Sequence, residues 1–192
     1  MHPLMARIDA SLQASPGRPA GLEGDPARAA VALAFRGDRE EPELLLIRRA
    51  VREGDPWSGQ VALPGGRWSP TDADLEATAL RETLEETGLD VRATGTVLGV
   101  LDELRPITAT LPSIIVTPYV ALVTPPAELT LSDEVASAFW VPWSVLTDPA
   151  HDVQSEVRAR GATFRTQSLV IGEHIVWGMT ERILRQLFLR VR

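Results

Sequence analysis

Apolar residues along the chain fall into short clusters, not long runs. ARAAVALAF (27–35) and ELLLIRRA (43–50) are strand-length and separated by the turn-forming RGDREEP, which predicts a hairpin. REGDPWSGQ is a loop, and VALPGG closes on a Pro-Gly-Gly turn. From Thr71 the period becomes helical and stops at Gly88, with Ala77, Ala79, Leu80 and Leu84 as interior positions. TVLGVLDEL, IIVTPYVALV and SAFWVPW then alternate as strands between Pro-rich loops. Near the end, Ile183, Leu184, Leu187 and Phe188 recur at helical spacing. Residues 1–25, rich in Pro, Gly and Ala without a sustained period, read as an extended N-terminal arm ahead of one domain over 26–192. Strands, helix, strands, helix in a chain too short for a doubly wound sheet predict an α/β protein of the α+β kind, a mixed sheet flanked by helices.

Composition narrows the class. The 192 residues are 44% hydrophobic and 23% charged, which suits one ordinary globular core. No apolar run reaches the roughly 18 residues of a membrane helix, and MHPLMARIDA lacks the apolar stretch of a secretory signal. A cytoplasmic protein is expected. The absence of cysteine excludes disulfides, thiolate nucleophiles and cysteine metal sites. A net charge of −7 argues against generic binding to nucleic acid or anionic membranes. It leaves room for a phosphorylated small molecule if divalent cations bridge the two.

The informative stretch is PGGRWSPTDADLEATALRETLEETGLD (64–90). Thr71 with Asp74 three positions on fits a capping box, and Gly88 is placed as a left-handed cap. Glu82, Glu85 and Glu86 stand at i, i+3 and i+4 and share one helical face near the negative end of the helix dipole. Three carboxylates there repel one another. Arg81 pairs with Glu85 at i+4 and relieves only part of this. A hard divalent cation with oxygen ligands relieves the rest. Taken alone, such a cluster reads first as a solvated acidic face, the usual fate of a charge run.

In context the stretch resembles the Nudix family, whose signature ends Arg-Glu-apolar-x-Glu-Glu-x-Gly-apolar, matched by Arg81 through Leu89. Thr83 stands where an aliphatic residue is usual. Gly66 lies one position further from Arg81 than in the standard pattern, and the upstream acid position falls on Ala73, between Asp72 and Asp74. The resemblance implies an α/β/α sandwich and a hydrolase cleaving a diphosphate. It also implies Mg²⁺ or Mn²⁺ held by Glu82, Glu85 and Glu86 beside the Gly65 or Gly66 backbone. Arg81 is expected to orient the glutamates. Glu134, six residues before Trp140, matches a further acid of the family, as metal ligand or general base. An exposed loop acid beside Asp133 is the alternative.

GQVALPGG, FWVPWSVL and VWGMTERIL resemble segments of the coenzyme A diphosphatase branch, which implies coenzyme A or its thioesters as substrate. ADP-ribose, dinucleotide polyphosphates and nucleoside triphosphates are the alternatives, and a non-catalytic nucleotide sensor is the rival of another class. In front of GQV the branch pattern breaks, with Trp57 in place of a His. Trp57 fits base stacking or ordinary half-buried packing, and Trp177 reads as core. Arg48, with Arg49 and Arg52, is a candidate for gripping phosphate. The expected partner is a small nucleotide-like molecule, and a homodimer is left open.

Overall fold

The computed structural model describes residues 1–21, 24–37, 40–55, 57–106, 113–124, 127–159 and 161–191. Its centre is β1 (Ala27–Arg36), and the sequence ARAAVALAF explains why. Alternate residues Ala30, Ala32 and Ala34 point to one face, and Ala29, Val31, Leu33 and Phe35 to the other. A strand covered on both faces is apolar throughout, small on the side where a helix lies close.

β1 runs parallel to β6 (Ile114–Val123) along its whole length, and β5 (Gly95–Val100) adds antiparallel to the far edge of β6. On its other side, β1 meets β2 (Glu43–Arg49) only at Phe35 opposite Leu44 and Arg36 opposite Glu43, and the two strands then diverge. Into this fork run the short strands β3 (Val61–Ala62), paired to β2, and β4 (Gly65–Arg67), paired to β1. β7 (Val135–Pro142) pairs with β2. The sheet is mixed, as expected. The turn proposed for RGDREEP includes residues 38 and 39, which lie outside the described residues.

Helix α2 (Leu75–Thr87) packs on the alanine face of β1, with Ala79 against Ala30 and Ala32. On the opposite face lie α1 (Pro3–Ala14), the short α4 (Trp143–Thr147) and the C-terminal α5 (Gly178–Arg190), which share the larger core with Leu33 and Phe35. A four-residue turn of helix, α3 (Val91–Thr94), links α2 to β5. The layers make an α/β/α sandwich.

Three expectations change. Residues 1–25 are not an extended arm throughout, because α1 occupies Pro3–Ala14. Leu4, Met5, Ile8 and Leu12 form a helical stripe buried against β5 and α5, Pro3 takes the first helical position, and the His2 ring accepts the Leu4 N–H at 3.1 Å. Apart from Pro3, the Pro and Gly of the segment fall after the helix. Helix α2 begins at Leu75, not Thr71: Asp74 is its N-cap, accepting the Ala77 N–H at 2.7 Å. Finally, β8 (Asp152–Ala159), β9 (Ala162–Ile171) and β10 (His174–Trp177) form a separate antiparallel sheet that the hydrophobic pattern did not announce.

Candidate active site

Helix α2 ends where the sequence placed its stop. Gly88 adopts φ 71° and its N–H returns to the Leu84 carbonyl at 2.8 Å. Carbonyls left free by the last turn are taken up by the loop before β7: Thr130 N–H donates to Thr87 O at 2.8 Å and Ser132 N–H to Glu86 O at 3.1 Å. The loop that carries Glu134 is thereby pinned to the helix that carries the other acids.

The Pro-Gly-Gly turn closes the site from below. Gly65, at φ 152°, packs so tightly on β1 that a Cβ would overlap the Ala30 carbonyl. Its N–H donates to Glu86 Oε2 at 2.9 Å. A Cβ on Gly66 would overlap the Glu82 carboxylate. The two glycines are what allow two carboxylates to lie against backbone.

The three helix acids are not equivalent. Glu86 is 3% exposed and Glu82 is largely covered, whereas Glu85 faces solvent. Burial pushes the Glu86 carboxyl up to about 7, against the opposing pull of the Gly65 N–H and of the Arg49 guanidinium 3.7 Å away. Burial also raises Glu82, and the charge of Glu134 adds to both shifts. Arg81 spans the group: Nη1 donates to Glu82 Oε1 and Glu85 Oε2, both at 2.9 Å.

Asp72 holds that arginine. Its carboxylate accepts from Arg81 Nε at 2.8 Å and Nη2 at 2.9 Å, from Thr78 Oγ1 at 2.9 Å and from the Ser69 N–H at 3.0 Å. The bonds from Arg81 hold the Asp72 carboxyl well below the usual carboxylate range. Sequence reading had left Asp72 and Asp74 flanking an empty acid position. The structure divides them, Asp74 capping the helix and Asp72 anchoring Arg81. Thr83, the other departure, is fully buried and satisfies its hydroxyl on the Ala79 carbonyl at 2.7 Å, so it serves as a small interior residue.

Glu82, Glu86, Gly65, Gly66, Glu134 and Trp57 all line one cavity of about 1180 Å³. Arg81 and Glu85 stand beside it, not in its wall. Arg48 is exposed and outside the lining, whereas Arg49 is in it, bonded to Asp55 at 3.0 Å. The register of β2 shifts between these two residues, and such a bulge re-aims the side chain that follows. Strand alternation therefore gave no means of choosing Arg49. Glu134 pairs with Arg52 at 2.9 Å at the exposed rim. Trp177 is a correction: it is half-buried, with its ring edge-to-face on Phe164 at 5.4 Å, and both line the cavity.

Carboxylate oxygens are the donors hard divalent cations take, and a nearly buried glutamate raised to about 7 is short of positive charge. The donor chemistry fits such an ion. Among the described residues no three His, Cys, Asp or Glu side chains are gathered into a ready cage, since Arg81 draws Glu82 and Glu85 to itself.

Comparison with known proteins bears on this arrangement. The family model described as NUDIX domain matches residues 25–160. The chain is 36% identical over 154 residues to proteins described as uncharacterized Nudix hydrolase NudL from Salmonella paratyphi B and Salmonella newport, covering 80% of this chain and 77% of those. Among solved structures, a MutT/nudix family protein from Enterococcus faecalis superposes with a TM-score of 0.59 at 19% identity, over 90% of this chain and 64% of that one. A NUDIX hydrolase from Alicyclobacillus acidocaldarius gives 0.53 at 21%, over 86% and 92%. The NUDIX domain of Shewanella oneidensis NrtR, solved with ADP ribose, gives 0.50 at 21%, over 70% and 83%. At these identities the structures share the fold.

Proposed function

The chain belongs to the Nudix hydrolase family, and from that premise we propose that it cleaves the diphosphate bond of coenzyme A or a coenzyme A thioester, releasing 3′,5′-ADP and the (acyl)phosphopantetheine. The observation that carries the reading is the convergence of Glu82, Glu86 and Glu134 on one cavity whose remaining walls are largely apolar. A diphosphate alone needs the acids and the cation between them. The apolar walls suit a substrate with a long organic arm.

Glu82, Glu85 and Glu86, with the Gly65 backbone beside them, would hold Mg²⁺ or Mn²⁺. When bound, the ion neutralises the diphosphate and lowers the pKa of attacking water. The protein's own part is positional. Asp72 fixes Arg81, and Arg81 sets the rotamers of Glu82 and Glu85. Gly65 fixes Glu86, and Arg49 offsets part of its charge. Glu134, on a loop pinned to the end of α2, takes the proton from water as its oxygen attacks phosphorus, and the bond from phosphorus to the bridging oxygen breaks. Arg49 is the nearest cavity cation to the glutamates and the candidate contact for a phosphate oxygen.

The test is a substrate panel with Mg²⁺ and with Mn²⁺, products identified by mass. It holds coenzyme A, acetyl-coenzyme A, ADP-ribose, a diadenosine polyphosphate and the nucleoside triphosphates. Fastest release of 3′,5′-ADP from the coenzyme A compounds supports the reading. Faster turnover of ADP-ribose, the ligand of the NrtR domain, replaces the substrate and keeps the chemistry.

A further inference from the structure

The second sheet supplies a wall that the diphosphate chemistry does not use. Phe164 on β9 and Trp177 at the end of β10 meet edge-to-face with centroids 5.4 Å apart, and both rings line the same cavity as Glu82 and Glu86. Met179 and Ile183 of α5 and Ile114 and Val116 of β6 add apolar lining to the same cavity, with Arg182 of α5 beside them. Phe164 remains 40% exposed, so an aromatic ring is left wet inside a concave site. Wet apolar surface of this kind marks a place where something apolar docks.

The wall is also held in place relative to the acids. Thr180 Oγ1 at the start of α5 donates to the Val61 carbonyl of β3 at 3.3 Å. Four residues beyond Val61 the chain reaches Gly65, whose N–H holds Glu86. A rigid path of a few residues thus joins the aromatic pair to the carboxylates.

We infer that Phe164 and Trp177 form a specificity subsite for the apolar acyl chain of a thioester whose diphosphate lies at the glutamates. This rests on the coenzyme A reading above and adds a preference within it. The pair selects thioesters by chain length and takes no part in bond breaking.

The experiment measures kcat and KM for coenzyme A and for its acetyl and hexanoyl thioesters, with ADP-ribose as a substrate lacking the arm. Each methylene fully removed from water is worth roughly a factor of four. With four added methylenes partly covered, kcat/KM should rise about tenfold from the acetyl to the hexanoyl thioester, mostly through KM. In Phe164→Ala and Trp177→Ala that gain should shrink to within about twofold, read as the ratio of kcat/KM between the two thioesters so that any loss common to both cancels. Trp177→Phe should retain part of the gain. Phe164, being exposed, gives a variant expected to fold even if Trp177→Ala does not. A flat chain-length profile in the unaltered protein, or an undiminished gain in both alanine variants, overturns the subsite alone. Cleavage of ADP-ribose with no cleavage of any coenzyme A compound overturns the substrate reading together with it.

Discussion

The two walls of the cavity are built on different principles. The α2 wall sits on a layer of alanines, its acids held by glycine backbone, by Arg81 and, through Arg81, by Asp72. The wall of β9, β10 and the start of α5 presents aromatic and aliphatic side chains, the Phe164 ring half in water. Chemistry that tolerates little displacement is placed on the packed helix. Recognition that tolerates more is placed on a small late sheet.

The largest effect that would test this division is on the α2 wall. Glu86→Gln should cost about a thousandfold in kcat, with unchanged far-ultraviolet circular dichroism. Hydrolysis at full rate would remove the assignment of the helix acids. The same substitution has an opposite effect on stability. The Glu86 carboxyl is raised from 4.5 to about 7, so between those pH values the folded protein binds a proton that the unfolded chain does not. Stability of the metal-free protein should therefore fall as pH rises through that window, by up to about 3 kcal/mol. Denaturant melts at pH 5 and pH 8 should show a flatter slope in Glu86→Gln, and an identical slope in both proteins would contradict the burial argument.

Asp72→Asn comes next. It leaves Arg81 without its anchor and should lower stability by about 2 kcal/mol in urea, with a fall in kcat that reports the loosened glutamates. A stability loss with kcat intact would make Asp72 purely structural. Smallest is Arg48→Ala, expected to change kcat/KM by less than about twofold, whereas Arg49→Ala should raise KM for every diphosphate tested. Equal effects would mean that the bulge in β2 does not sort the two arginines.

Sequence reading reached the first wall and missed the second, for physical reasons. Helix α2, its glycine stop and its acid face follow local rules of spacing and capping, and so they were legible. Asp72 was visible as a residue but not as an anchor, because its partner lies nine positions away and only the fold brings them together. Strands β8 and β9 carry mostly polar residues over QSEVRA and ATFRTQ, so alternation of apolar side chains gave no signal. Trp177 read as core because a lone aromatic in an apolar stretch usually is. The helical stripe Leu4, Met5, Ile8, Leu12 was present in the sequence, masked by the Pro and Gly that follow it.

That first helix has a kinetic consequence. Its buried stripe rests on β5 and on α5, and the contact is clasped at both ends, by Arg7 on the Val191 carbonyl and Arg190 on the Ser15 carbonyl. On the ribosome α1 emerges well before α5, at roughly 5–20 residues per second. For about ten to thirty seconds at those rates the nascent chain carries the apolar stripe of α1 with at most half its seat made. The fold closes like a clasp, and an early-made piece of it is among the last to be locked.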